Sequence, residues 1–250
     1  MINLNNKNIL ITGASSGIGR ECAIVLSNAG ARIILIGRDL KRLKETKLKL
    51  KENKHHIINM DVTNFDEIES NISDAVAIIG TIDGFIHSAG IELTAPLRLM
   101  NSQKYNEIFS VNTIAAFEFS RILSKKKYIN NSGASFVFIS SVTGLLGVSG
   151  KVAYCSSKSA LLSGAKALAL ELANKKIRVN SVLPGMVNTE MVMNMKNELP
   201  VDSIKEISDN HPLGFGEPTD VANLCAFLLS DLSKWITGSD YIIDGGYSCK

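Results

Sequence analysis

The segment NILITGASSGIG, at residues 8–19, is the part of the sequence that decides the fold. Its first five residues form an apolar run, and glycines follow at 13, 17 and 19 where a helix-length stretch begins. Glycines at a strand-to-helix turn let the backbone approach a pyrophosphate, and the helix N-terminus offers free N–H groups. The spacing is GxxxGxG and lacks the lysine ending of an ATP-type phosphate loop. We therefore expect dinucleotide binding by Gly13, Ser15, Ser16, Gly17, Ile18 and Gly19.

Short apolar runs alternate with longer amphipathic stretches over the rest of the chain. The predicted strands cover residues 8–12, 31–36, 55–60, 83–88, 135–140, 177–183 and 240–244. The predicted helices cover residues 17–29, 40–53, 64–79, 102–128, 153–174 and 218–230. Strands that are apolar throughout are typical of a sheet buried on both faces. The alternation predicts a single doubly wound α/β domain of the Rossmann type over residues 1–250, with a seven-stranded parallel sheet.

The composition is that of an ordinary globular chain. Of 250 residues, 45% are hydrophobic and 20% charged, and the formal net charge is +3. Neither a disordered chain nor a nucleic-acid partner fits these values. No signal peptide or apolar run of membrane-spanning length is visible, so we expect no membrane partner. The four cysteines form no CxxC pair, which predicts no metal site and favours free thiols in a reducing cytoplasm.

Two features of the sequence have mainly structural interpretations. The lysine-rich stretch at 40–53 has two interpretations, a site for an anionic partner or a solvated helix face with Leu40, Leu43 and Leu48 turned inward. The solvated helix face is favoured. The four histidines, His55, His56, His87 and His211, lack metal-ligand spacing.

The tip of the second predicted strand bears on the choice of cofactor. An acidic residue about 20 residues beyond the glycine turn would bind the ribose of NAD. This chain has Gly37 and Arg38 there, followed by Asp39. Arg38 offers a planar cation suited to a 2′-phosphate, which favours NADP(H) over NAD(H). The rival interpretation takes Asp39 as the ribose acid, but Asp39 opens the next helix and is explained as an N-cap.

With these motifs in order, the sequence resembles the short-chain dehydrogenase/reductase family over nearly its whole length. The turn matches TGxxxGIG at 12–19, Ser88-Ala89-Gly90 stands where the family usually has Asn-Ala-Gly, and Tyr154 with Lys158 fits YxxxK. The resemblance implies further cofactor contacts by Asp61, Val62, Ala89, Gly90, Tyr154, Lys158, Pro184, Gly185, Val187 and Thr189. It implies catalytic roles for Asn112, Ser141, Tyr154 and Lys158.

Two positions depart from the family pattern. Ser88 replaces an asparagine that is linked to bracing the central sheet, so we expect altered local bracing and retained activity. Ser16 stands where many NADP-preferring relatives carry a basic residue. Arg38 is then the main sequence argument for the 2′-phosphate.

The chemistry of the implied catalytic group can be read from its residue types. Tyr154 and Lys158, at i and i+4, share one helix face, and a nearby ammonium is expected to lower the pKa of the phenol. Tyr154 is then a general acid in reduction and a general base in oxidation. Ser141 hydrogen-bonds the substrate oxygen, while Ser140 points to the other face of its strand. Asn112, by resemblance, completes a water-linked proton relay to Lys158.

The substrate side of the sequence is less specific. A stretch at 185–212 contains Met186, Met191, Met193 and Met195, which predicts an adaptable apolar pocket wall or lid, or equally a helix packed on the core. The chain is most similar to the β-ketoacyl-carrier-protein reductase group. Lysines at 125–127 and 175–176 are candidates for contacting an acidic carrier protein, or else solvated helix ends.

We therefore expect an NADP(H)-dependent oxidoreductase that acts on a carbonyl or secondary alcohol, with an acyl thioester or another small molecule as substrate. A sugar or polyol dehydrogenase and a non-catalytic dinucleotide sensor are the alternatives. A sugar-nucleotide epimerase fits less well, because the TGxxGxxG turn and the added C-terminal domain of that branch are lacking. The resemblance also implies a homotetramer or homodimer formed through the helices at 102–128 and 153–174.

Overall fold

The computed structural model describes residues 2–193 and 207–249. Within these residues, seven parallel strands form one sheet in the order β3-β2-β1-β4-β5-β6-β7. The strands are β1 Asn8–Thr12, β2 Arg32–Gly37, β3 His56–Asn59, β4 Gly84–His87, β5 Ala134–Ile139, β6 Ile177–Pro184 and β7 Asp240–Ile243. The predicted seven-stranded Rossmann-type sheet is confirmed.

Helices cover both faces of this sheet. They are α1 Gly17–Asn28, α2 Leu40–Leu48, α3 Phe65–Ile79, α4 Ser102–Phe109, α5 Ala115–Leu123, α6 Val152–Leu172 and α7 Pro218–Leu229. Strand β1 shows why its residues are apolar throughout. Ile9 and Ile11 pack into the core shared with α1 and α7, whereas Leu10 between them packs into the core shared with α3, α5 and α6. Alternate side chains of one buried strand thus stabilise both layers.

Two helices differ from the sequence prediction. The helix predicted over 102–128 ends at Leu123 and is interrupted by a π-helical turn at Ser110–Ile114. The helix predicted over 40–53 ends at Leu48, which is 85% exposed, while Leu43 is buried and Leu40 is exposed. Leu48 lies five residues beyond Leu43, about 140° around a helix, so a single inward face cannot hold both.

The carboxyl ends of the parallel strands share one edge of the sheet. The glycine turn after β1, the loop after β4, the serines after β5 and the Pro184–Gly185 segment at the end of β6 all reach this edge. Ligands bind at this edge in doubly wound sheets, at the point where the strand order reverses. In the ranges that the structure covers, no helix is both long and apolar enough to cross a membrane.

Candidate active site

The glycine turn is closed by contacts that only glycine permits. Gly13 has a φ of +69°, and a Cβ there would lie 2.7 Å from the backbone nitrogen of Ala89. A Cβ on Gly19 would collide with the backbone oxygen of Gly13. These contacts bring the N-terminus of α1 under the loop after β4 and leave the turn open toward the cavity. This cradle fits a pyrophosphate bound by backbone N–H groups.

A cavity of about 830 Å³ runs along the carboxyl edge of the sheet. The structure brings nearly all of the predicted site residues to its wall: Gly13, Ser15, Ser16, Gly17, Ile18, Arg38, Asp61, Val62, Ala89, Gly90, Ser141, Tyr154, Lys158, Pro184, Gly185, Val187 and Thr189. The two others lie behind the wall. Gly19 is buried beneath the turn, and Asn112 is buried behind the loop after β4.

Arginines gather at one end of the cavity. Arg38 is exposed, and its Nη1 lies 3.4 Å from Oδ2 of Asp61. Asp39 accepts a 3.0 Å hydrogen bond from the backbone nitrogen of Arg42, so it caps α2 as the sequence indicated. Sequence reasoning missed two further cations here. Arg20 and Arg42 both pair with Glu190, which also lines the cavity.

The opposite part of the cavity holds Tyr154, Lys158 and Ser141. Lys158 is buried, and its Nζ donates a 2.8 Å hydrogen bond to the carbonyl oxygen of Ile139. That Nζ lies 5.8 Å from the centre of the Tyr154 ring. The Ser141 hydroxyl oxygen accepts hydrogen bonds from the backbone and side chain of Thr143, at 3.2 and 3.0 Å. Its own proton is thereby left to hydrogen-bond the Tyr154 side chain.

The side chains of Ser140 and Ser141 make separate contacts, as the two-residue period of a β-strand predicts. Its hydroxyl donates a 2.8 Å hydrogen bond to the carbonyl oxygen of Lys158 and fixes β5 to α6. The serine that faces Tyr154 is therefore Ser141.

The pKa of Tyr154 differs from the sequence expectation. Burial raises the pKa of Tyr154 well above its ordinary value, the carboxylate of Glu92 adds to the rise, and the Ser141 hydrogen bond opposes it. Burial also lowers the pKa of Lys158 to about 8, against a smaller opposing effect of Glu92. The expected net lowering of the Tyr154 pKa is wrong here, because burial disfavours the charged phenolate and this effect dominates.

Asn112 lies in the π-helical turn and holds the loop after β4. Its side chain accepts a 2.8 Å hydrogen bond from the backbone nitrogen of Ile91 and donates one of 3.0 Å to the carbonyl oxygen of Ile91. It also donates a 3.0 Å hydrogen bond to the hydroxyl of Ser157 in α6. A Cβ on Gly90 would lie 3.5 Å from Asn112 Oδ1 and 3.4 Å from Lys158 Nζ. Asn112 thus ties the cavity wall to the helix that carries Tyr154 and Lys158.

Comparisons with known proteins agree with this geometry. A family model described as enoyl-(acyl carrier protein) reductase matches residues 13–248. The solved structure of a short-chain type dehydrogenase/reductase from Mycobacterium marinum has a TM-score of 0.91 at 31% identity, with 100% of this chain and 98% of that chain covered. The chain belongs to the short-chain dehydrogenase/reductase family. The resemblance read from the motifs is confirmed.

Curated members of this family are similar over nearly the full length. The chain is 31% identical over 245 residues to the 3-oxoacyl-acyl-carrier-protein reductase of Staphylococcus epidermidis, covering 96% of this chain and 98% of that protein. It is 34% identical over 247 residues to the protein of the same name from Rickettsia bellii, covering 98% of each. A dehydrogenase/reductase structure from Sinorhizobium meliloti has a TM-score of 0.89 at 30% identity, covering 99% of this chain and 97% of that one.

In this short-chain dehydrogenase/reductase, His87 provides bracing beside Ser88. The Thr12 hydroxyl lies 3.0 Å from Nδ1 of His87, and Nε2 of His87 lies 3.1 Å from the carbonyl oxygen of Val111. Thr12 Oγ1 also accepts from the backbone nitrogens of Ser88 and Ala89, at 3.2 and 3.3 Å. These bonds are all satisfied if His87 is protonated on Nε2 and Thr12 donates to Nδ1. His87 therefore links β1, β4 and the π-helical turn.

One part of the cavity in this dehydrogenase/reductase is lined by Met186, Met191, His211 and Tyr247. The imidazole of His211 stacks on the Tyr247 ring at 4.6 Å, and its Nε2 accepts a 3.3 Å hydrogen bond from the backbone nitrogen of Met186. The predicted lid over 185–212 includes residues 194–206, among them Met195, which lie outside the described residues.

The lysine clusters are far from this part of the cavity. Lys176 directly precedes β6, and Lys125 and Lys127 lie on the segment that precedes β5, so both groups flank the amino ends of strands. The cavity opens at the carboxyl ends. Lys125 and Lys127 also pair with Glu69, and Lys175 donates to the carbonyl oxygen of Ser124. The position of these lysines argues against contact with a carrier protein at the mouth of the cavity, because the amino and carboxyl ends of parallel strands lie at opposite edges of the sheet. The alternative expectation, that they are helix ends, fits the structure better.

Proposed function

We propose that this protein uses NADP(H) to interconvert a carbonyl compound and its secondary alcohol. The observation that carries the proposal is the placement of Tyr154 and Ser141 in the same cavity as the glycine turn and Arg38. The cavity therefore offers a cradle for a dinucleotide at one end and a proton donor at the other. A sensor without catalysis would not require a buried Tyr-Lys-Ser group in this arrangement.

Bound NADPH would supply the hydride for reduction. Tyr154 gives its proton to the substrate oxygen as negative charge develops there, and its high pKa keeps it protonated until that point. Ser141 donates a hydrogen bond to the same oxygen. Lys158, held by the carbonyl oxygen of Ile139, places its ammonium where it stabilises the phenolate that Tyr154 becomes.

The preference for NADP(H) rests on Arg38 and Gly37. A Cβ on Gly37 would lie 3.3 Å from Leu43 Cδ2 and 3.5 Å from Ser15 Oγ, so the glycine avoids crowding beside the turn. The guanidinium of Arg38 lies on the wall of that space and is matched in geometry to a phosphate. Asp39, the competing ribose ligand, is engaged in capping α2.

The substrate class is the finer part of the proposal. The names of the Staphylococcus epidermidis and Rickettsia bellii relatives make β-ketoacyl thioesters the first class to test. NADPH oxidation with such a thioester should be followed by absorbance for the wild type, Tyr154→Phe and the control Tyr105→Phe on α4. We expect Tyr154→Phe to lose at least 99% of turnover while still binding NADPH. Undiminished turnover by Tyr154→Phe would refute the proposal.

We also propose that the protein is a cytoplasmic homo-oligomer, a tetramer or a dimer. Leu170 on α6 is 84% exposed and Trp235 is 96% exposed, and apolar side chains of this size are commonly covered by a second subunit. Light scattering during gel filtration of the wild type and Leu170→Glu tests this. A monomeric wild type would refute it.

A further inference from the structure

An ion pair lies on the cavity wall beside Tyr154. The side chains of Glu92 and Lys151 form a close salt bridge, and they are only 23% and 17% exposed. Lys151 Nζ lies 5.9 Å from the centre of the Tyr154 ring, almost the same distance as Lys158 Nζ. The field of Glu92 affects the pKa of both Tyr154 and Lys158. The pair is therefore next to the group that handles the proton.

The two loops that carry the pair are joined by their backbones. The backbone nitrogen of Ala95 donates a 2.8 Å hydrogen bond to the carbonyl oxygen of Gly150. The Thr94 hydroxyl lies 3.4 Å from Oε1 of Glu92, on the same oxygen that Lys151 contacts. Lys151 directly precedes α6, the helix that carries Tyr154. Glu92 is thus held at a fixed place relative to the Tyr154 hydroxyl.

A pair of this kind is poorly explained by stability alone. Burying two charges costs desolvation energy that their attraction barely offsets, and apolar replacements of such pairs are often neutral or stabilising. An unsubstituted acyl chain packed against the Glu92–Lys151 pair would shield both charges further from water and would offer them no hydrogen bond. Within the described part of the chain, the contacts of Glu92 are all made through Oε1. Glu92 lines the cavity, so its Oε2 can accept a hydrogen bond from a molecule bound there.

We propose that Glu92 is a specificity-determining residue that selects substrates carrying a hydroxyl group on the carbon next to the reacting carbonyl. Oε2 of Glu92 accepts the hydrogen bond of that hydroxyl, and Lys151 fixes the carboxylate through Oε1. The substrate class is then the α-hydroxy carbonyl compounds and the vicinal diols to which they are reduced. This inference rests on the proposed carbonyl reduction and narrows its substrate.

The test compares two ketones that differ by one hydroxyl group, 3-hydroxybutan-2-one and butan-2-one. We expect the wild type to favour the hydroxyketone by tenfold to a hundredfold in kcat/KM, the range of a hydrogen bond to a charged group. Glu92→Leu should reduce this preference to below about threefold. Glu92→Gln, which preserves shape, should retain an intermediate preference, and Glu171→Leu at the exposed end of α6 should keep the full preference. A preference that Glu92→Leu leaves intact overturns the inference.

A second readout separates this inference from the proposed function. In the Tyr154→Phe background with bound NADPH, the affinity for each ketone is measured by quenching of NADPH fluorescence, which needs no turnover. A preference for the hydroxyketone that Glu92→Leu removes supports the inference even if the wild type reduces neither the ketones nor a β-ketoacyl thioester, in which case the proposed carbonyl reduction has failed. Equal affinities overturn the inference. Efficient reduction of a β-ketoacyl thioester, unaffected by Glu92→Leu, also overturns it and leaves the proposed function standing.

Discussion

The ammonium of Lys158 donates a 2.8 Å hydrogen bond to the carbonyl oxygen of Ile139, so a buried cation is held beside Tyr154 by a neutral partner. Burial lowers the pKa of Lys158 to about 8. As pH rises through that value the ammonium is lost, and with it the stabilisation of the phenolate. We predict that kcat/KM for reduction falls above about pH 8 with a slope of one proton. A profile that stays flat from pH 7 to 10 would contradict this role.

The lowered pKa of Lys158 also leads to a prediction about the pH dependence of the free energy of unfolding. The folded-state pKa of Lys158 is below its ordinary 10.5, so the unfolded chain binds more protons between about pH 8 and 10.5. This residue therefore makes stability rise with pH over that window. Lys158→Met should remove the rise, as measured by urea unfolding at pH 8 and pH 10.

Glu92→Gln should move the alkaline limit of activity. The carboxylate of Glu92 raises the pKa of both Tyr154 and Lys158, so its neutralisation lowers both. We expect the fall in kcat/KM to begin at a lower pH than in the wild type. Glu171→Gln, on the exposed end of α6, serves as the matched control. An upward shift in Glu92→Gln would show that the field of Glu92 does not act on these groups.

His87 should make the protein acid-sensitive. Burial lowers the pKa of His87 to about 3, from an ordinary value of 6.5. Its contribution to stability is complete above pH 6.5 and is lost as pH falls toward 3, by up to about 1.4 kcal/mol per pH unit. His87→Gln cannot titrate, so its free energy of unfolding should decline less steeply between pH 6.5 and 4. Parallel declines in urea unfolding of the two proteins would exclude this contribution.

The sequence predicted the sheet well because each strand is encoded by a short, continuous stretch of residues. Apolar strands such as β1 and the glycine turn at 13–19 follow from short stretches of residues, and the catalytic spacing of Tyr154 and Lys158 lies within one helix. The spacing beyond the glycine turn pointed to Arg38 and the family pattern pointed to Ser141, and both residues line the same cavity. These features need no knowledge of distant contacts.

What the sequence did not predict depends on distant pairs. The π-helical turn at Ser110–Ile114 is accompanied by the bonds of Asn112 to Ile91, 21 residues away. The Glu92–Lys151 pair joins loops 59 residues apart, and neither residue lies in a recognisable motif. The high pKa of Tyr154 reflects burial, which is a property of the packed site and not of the Tyr-Lys spacing.

The closure of the glycine turn can be tested at Gly19. A methyl group there would collide with the backbone oxygen of Gly13, and a backbone atom cannot move aside as a flexible side chain can. We expect Gly19→Ala to weaken NADPH binding by at least tenfold and to lower the melting temperature. Gly147→Ala is the matched control, because within the described structure its added Cβ meets open space. Unchanged NADPH affinity in Gly19→Ala would show that the turn does not hold the cofactor.

Arg38→Asp should change the cofactor preference. Arg38 lies on the cavity wall and its guanidinium is the predicted partner of the 2′-phosphate, which NADPH has and NADH lacks. Replacing it with a carboxylate removes a charge-assisted hydrogen bond and introduces repulsion beside Asp61. We expect the Kd for NADPH to rise by tenfold to a hundredfold while the Kd for NADH changes little. Lys44→Asp, exposed on α2, controls for the change in net charge and should leave the ratio of the two Kd values unchanged. If Arg38→Asp leaves that ratio unchanged as well, Arg38 does not bind the phosphate, and Arg20 and Arg42 become the next residues to test.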